Sequence, residues 1–134
     1  MMRGVLNFLT DPESEEARLL RERFVFKIIP MLNPDGVING NYRCSLAGCD
    51  LNRRWKYPNK HLHPTIYHTK NLIKDLHQER GVLMYCDLHG HSRKQNVFMY
   101  GCTDRWKPEK CRVLPLMLSK ISQFFDFGSC RFGI

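Results

Sequence analysis

The chain has 134 residues, room for one ordinary domain, and its 43% hydrophobic and 25% charged residues are the balance of a globular fold, not of a disordered one. No apolar run approaches the roughly 18 residues of a membrane span, and residues 1–9 are too short and too interrupted for a secretory signal. The net charge of +8 is uneven: residues 1–23 carry four basic and five acidic side chains, residues 24–134 seventeen and eight. Such a surface favours an anionic partner, but the basic residues are scattered, without a tract or an RNA-binding signature, so nucleic acid is not expected.

In chain order, Met2, Val5, Leu6 and Leu9 recur at helical spacing and predict a helix that nothing caps in front. Asp11-Pro12 reads as an N-cap followed by a first-turn proline, opening a second helix over residues 12–23. Residues 24–32, rich in Phe, Val and Ile, predict a mostly buried strand. Asn33-Pro34-Asp35-Gly36 is a turn signal, and the stretch 37–60 predicts a long irregular loop of the kind that often carries function. Pro64 opens a helix ending at Arg80, with Gly81 as its stop. Residues 82–86 predict a second buried strand, with Cys86 a buried small hydrophobe. Strand, helix and strand in that order imply a parallel pair with a crossover helix. A third strand is expected at residues 97–100 and a last helix over 116–125, after Pro115. The six cysteines include no Cys-x-x-Cys pair, and without a signal peptide reduced thiols are expected.

Asp87-Leu88-His89-Gly90-His91-Ser92 places His89 just past the end of a predicted strand, where open α/β sheets bind ligands. Neutral imidazole is the commonest zinc ligand, but one histidine is more often structural, and catalytic zinc needs three protein ligands. His61-x-His63 could chelate, although its surroundings suggest an exposed loop. In Asp50-Leu51-Asn52-Arg53-Arg54-Trp55, arginine beside asparagine suits bidentate recognition of a carboxylate. The bland alternative there is a surface loop with an Arg–Asp pair. Arg43, in Asn41-Tyr42-Arg43, could hold an oxyanion or be a solvated loop arginine.

Taken in order, Asn-Pro-Asp-Gly (33–36), Asn-Tyr-Arg (41–43), Asp-Leu-Asn-Arg-Arg-Trp (50–55) and Asp-Leu-His-Gly-His-Ser (87–92) resemble the zinc metallocarboxypeptidase family. The runs Asn-Tyr-Arg-Cys-Ser-Leu-Ala-Gly and His-Gly-His-Ser-Arg-Lys-Gln-Asn resemble the cytosolic carboxypeptidase subfamily, whose members trim glutamates from tubulin and other acidic proteins. The resemblance covers essentially the whole chain. It implies an α/β fold: the central part of a mixed, mainly parallel sheet with flanking helices, incomplete at both ends, residues 1–134 being a partial catalytic domain.

By the same resemblance His89 is a zinc ligand, Arg43 the oxyanion-stabilising catalytic residue, Asn52 and Arg53 the clamp on a substrate's terminal carboxylate, and Asp50 the acid that orients another zinc-bound histidine. His91 lines the substrate cleft, and Arg93 and Lys94 would meet glutamate-rich substrates. The family's His-x-x-Glu zinc motif does not occur in the chain, and no Asp or Glu follows residue 126 to supply its general base. The implied cofactor is zinc at an incomplete site. The implied partners are glutamate-rich C-termini such as tubulin tails, the location is cytoplasmic, and no membrane is involved. The isolated chain is expected to be inactive. The competing reading is a non-catalytic carboxypeptidase-like module that binds acidic C-terminal tails.

Overall fold

A computed structural model describes residues 1–133. The chain forms two compact units, Met1–Leu88 and His89–Ile134.

The first unit opens with a helical hairpin. Helix α1 (Met2–Leu9) buries Leu9, and helix α2 (Glu15–Arg23) buries Ala17. The start of α2 differs from expectation. Ser14 is the N-cap and accepts from the Ala17 amide at 3.1 Å, while Asp11 Oδ1 accepts from the Glu13 amide. Asp11 therefore closes a local turn two residues on, and the serine caps the helix. Glu15 and Glu16 in the first turn and Arg21 and Arg23 in the last complement the helix dipole. Arg21 also reaches back, donating to the Leu9 carbonyl at 2.6 Å, which pins the hairpin.

Residues 24–32 were expected to form a buried strand. They form no ladder among the described residues, and Val25, Ile29 and Met31 are exposed. Residues 82–86 behave the same way, with Leu83 83% exposed and Cys86 exposed rather than buried. β-Branched composition gives a segment the tendency to pair, but a strand exists only when a neighbour takes up its backbone groups. The expected parallel pair across the Pro64 helix is therefore not formed.

Asn33-Pro34-Asp35-Gly36 starts helix α3 (Pro34–Asn39) instead of a simple turn. Asn33 caps the Gly36 amide, Pro34 occupies the first turn, and Gly40 ends the helix at φ 73°. Pro-Asp-Gly fits a helix start as well as a β-turn, because proline is tolerated where the N–H is unused. Helix α4 (Pro64–Arg80) matches expectation and buries Ile66 and Thr69. A knot just ahead of it fixes its start. Asn59 Oδ1 accepts from the His61 and Leu62 amides, and His63 Nδ1 accepts from the Asn59 amide at 3.0 Å. His63, 6% exposed, is thus a structural histidine.

The second unit contains the sheet. Strand β1 (Tyr100–Cys102) pairs in parallel with β2 (Arg131–Gly133), and an isolated parallel bridge joins Val97 to Phe125. Helix α5 (Lys110–Ile121) is the crossover. The strand–helix–strand logic thus holds at the other end of the chain. The helix expected over 116–125 begins earlier, carries buried Pro115 inside, and releases Phe125 to the bridge. The fold is a mixture of helices with a minimal parallel sheet.

Asp126 caps the short 3-10 turn Phe127–Ser129, accepting from Ser129 Oγ at 2.6 Å and the Ser129 amide at 3.1 Å. Those bonds, the hydroxyl's first, hold its carboxyl below the ordinary value of 3.8. A depressed carboxylate pKa adds stability that is present at neutral pH and lost as pH falls through the folded value. Acid melting of the second unit should therefore show a component that disappears in Asp126→Asn. An unchanged thermal-melting profile below pH 4 in that variant would remove Asp126 from the account.

Candidate functional site

In the first unit the turn 45–49 folds the chain back on itself. The Ser45 amide donates to the Cys49 carbonyl at 2.9 Å and the Gly48 amide to the Ser45 carbonyl at 3.0 Å. Gly48, at φ 67°, takes the left-handed conformation that the turn needs. An antiparallel bridge between Cys44 and Asp50 closes the loop and brings Arg43 to Asp50. The loop is anchored to α3 by the Asn33 amide nitrogen, which donates to the Cys44 carbonyl at 3.3 Å. The approach is close: a Cβ on Gly36 would lie 2.6 Å from that carbonyl.

Asp50 uses both carboxylate oxygens. Oδ1 accepts from the Asn52 amide at 3.0 Å, capping the short 3-10 helix Leu51–Arg53. Oδ2 lies 3.6 Å from Arg43 Nη1. Arg43 also donates to the Tyr42 hydroxyl at 3.4 Å and lies over the Tyr42 ring. The Tyr42 hydrogen bond, then the Asp50 charge, raises the guanidinium pKa further, so the group stays cationic. The ion pair is half exposed and contributes little to stability.

Buried Leu51 anchors the 3-10 turn beneath Asn52 and Arg53. Asn52 Oδ1 accepts from Trp55 Nε1 at 3.0 Å. Indole is only a donor, so this contact fixes which end of the amide carries oxygen and leaves the N–H₂ end as the donor. Arg53 is exposed, its Nη1 3.4 Å from the Asn52 carbonyl. Arg43, Asp50, Asn52 and Arg53 thus form one continuous group around a single carboxylate.

In the second unit His89 and Arg93 are exposed. His91 Nδ1 accepts from the Arg93 and Lys94 amides at 3.2 and 3.0 Å, and Nε2 lies 3.4 Å from the Tyr100 hydroxyl. That pattern leaves Nε2 as the ring nitrogen that faces the Tyr100 hydroxyl. The ring packs edge-on against Phe98 at 5.3 Å. Lys94 Nζ donates to the Ser129 carbonyl at 2.8 Å and lies over the rings of Phe98 and Tyr100. Of the two basic residues assigned to substrate, Lys94 is half-buried as an internal tie. Tyr100, Trp55 and Ser129 are the residues sequence reasoning missed. Trp55 stood inside a motif, whereas nothing local links Tyr100 to His91 or Ser129 to Lys94.

A catalytic zinc needs three protein donors. Among the described residues no group of three or more His, Cys, Asp or Glu side chains is placed to hold a metal ion. His89 offers one donor, so the residues present do not make up a complete zinc site.

The family model for zinc carboxypeptidases matches residues 1–123. The chain belongs to the zinc carboxypeptidase family. Among curated proteins it is 55% identical to cytosolic carboxypeptidase 2 of Danio rerio, over 98% of this chain and 19% of that protein. It is 57% identical to cytosolic carboxypeptidase 2 and 51% identical to cytosolic carboxypeptidase 3 of Mus musculus, over all of this chain and 16% and 14% of theirs. This zinc carboxypeptidase chain therefore spans less than a fifth of the length of those relatives. Among the described residues no helix is long and apolar enough to cross a membrane.

The two roles of Asp50 can be separated. Asp50→Ala removes cap and pair together and should lower stability by about 1 kcal/mol through the cap. Asp50→Asn keeps an oxygen for the Asn52 amide and should recover most of that loss. Urea unfolding compares the two, and equal destabilisation would contradict a capping role.

Proposed function

We propose that this chain is the carboxylate-recognising part of a cytoplasmic zinc carboxypeptidase that removes C-terminal glutamates from acidic protein tails such as those of tubulin. The observation that carries the reading is the group organised by Asp50: a fixed cation at Arg43 beside the exposed pair Asn52 and Arg53. Asn52 with Arg53 offers an amide and a planar fork to a terminal carboxylate. Arg43 supplies positive charge where a carbonyl oxygen becomes anionic during attack. Zinc, bound in the family's complete site, would activate water and polarise the scissile carbonyl. The surplus of basic residues beyond residue 23 suits glutamate-rich substrates.

With one zinc donor and no downstream carboxylate base, the 134-residue chain is proposed to bind tails without cleaving them. A non-catalytic module for acidic C-termini would use the same clamp, and hydrolysis separates the two roles. The test compares glutamate peptides ending in a free carboxylate with their C-terminal amides. Arg53→Ala should weaken the free-acid peptide about tenfold or more, as for loss of a charge-assisted contact, and leave the amide unaffected. Equal losses on both peptides would remove the clamp assignment. Peptide turnover by the isolated chain supplied with zinc would overturn its inactivity.

A further inference from the structure

A concavity of about 410 Å³ opens between α4 and the segment 56–59 of the first unit. Tyr67, Lys70, Asn71 and Lys74 line one side at the spacing of a single helix face. Lys56 and Tyr57 stand on the other wall, and no acidic side chain lines the space. Lys70 staples the walls together: its Nζ donates to the Trp55 and Lys56 carbonyls at 2.8 Å each, which fixes its charge between them. Lys56 and Lys74 are exposed at the rim. None of the three lysines is in an ion pair among the described residues. Two exposed cations, Lys56 and Lys74, with the tied Lys70 charge behind them and two phenols and amide groups beside them, make a receptor for closely spaced anions.

We propose that this hollow is an anion-binding exosite for adjacent carboxylates within an acidic polypeptide. It would hold internal glutamates, apart from any terminal carboxylate held by Asn52 and Arg53. The choice of a polypeptide over a small anion rests on the acidic-tail reading above. Nucleic acid is disfavoured because even a single module buries roughly 600–1,000 Å² along an extended surface, whereas this site is one open concavity of about 410 Å³.

The test uses the 134-residue chain and a fluorescent hexaglutamate peptide with an amidated C-terminus, followed by anisotropy at low ionic strength. Lys56→Glu with Lys74→Glu should weaken binding roughly fivefold or more, the scale of two exposed charge pairs lost and reversed. Lys107→Glu with Lys110→Glu makes the same change in net charge in the other unit and should have a much smaller effect. Lys74→Gln alone keeps the helix intact and should give a smaller loss in the same direction. Equal weakening by the two double reversals, or none with Lys74→Gln, would overturn the exosite. Tighter Lys56- and Lys74-dependent binding of an oligouridylate or of inorganic phosphate would overturn the carboxylate assignment. Arg53→Ala should leave the amidated peptide bound. A loss there would place the peptide on the clamp and also overturn the exosite, whereas failure of the free-acid test alone would leave the exosite standing.

Discussion

One carboxylate organises the candidate site. Asp50 holds the Asn52 amide with one oxygen and faces Arg43 with the other. Remove it, and the 3-10 turn carrying Asn52 and Arg53 loses its cap while Arg43 loses its counter-charge. The ion pair itself is too exposed to add much energy. Its contribution is positional, placing a permanent cation beside the Asn52 amide. That placement depends in turn on the loop 44–50, closed by the Cys44–Asp50 bridge, and on Asn33, which caps α3 with its oxygen and ties the Cys44 carbonyl with its nitrogen. Gly36 permits the close approach, since any Cβ there would collide with that carbonyl.

The helices were legible because their hydrogen bonds close within four residues. The periodicity and terminal proline and glycine of α4 sufficed to place both of its ends. The errors at α2 and α3 came from residues with two lawful uses: Asp11 can cap a helix or close a turn, and Pro-Asp-Gly can open either. The strands were misplaced for a different reason. Residues 24–32 and 82–86 have the right composition, yet pairing is a relation between segments, and composition names only one side of it. Residues 131–133, unremarkable by pattern, become a strand because Met99 accepts from the Arg131 amide and the Thr103 amide reaches Gly133.

The site residues divide along the same line. Motif order brought Arg43, Asp50, Asn52 and Arg53 to notice, and the structure gathers them around one short loop. A basic side chain near a cleft attracts anions, which is the reason to expect Lys94 at substrate. Its ammonium also donates to the Ser129 carbonyl, 35 residues away in sequence, and lies over two aromatic rings. An ammonium already desolvated on one side and hydrogen-bonded has less to offer a ligand than its exposed neighbour Arg93. His91 is similarly engaged: its Nδ1 accepts from the Arg93 and Lys94 amides, which fixes the ring in the turn.

Trp55 links the two basic features of the first unit. Its indole N–H sets the Asn52 amide orientation, its carbonyl accepts from Lys70, and its ring packs edge-on against Tyr85 at 5.9 Å. The proposed carboxylate clamp at residues 52–53 and one wall of the lysine-lined hollow at residues 56–59 thus lie close together on one chain segment. Neither feature needs a metal to hold its charge. A single acidic chain entering the clamp by its end could therefore place earlier carboxylates against Lys56 and Lys74 by extension along the same segment. Specificity for acidic tails would then reside in the binding surface itself and would be separable from the hydrolytic step.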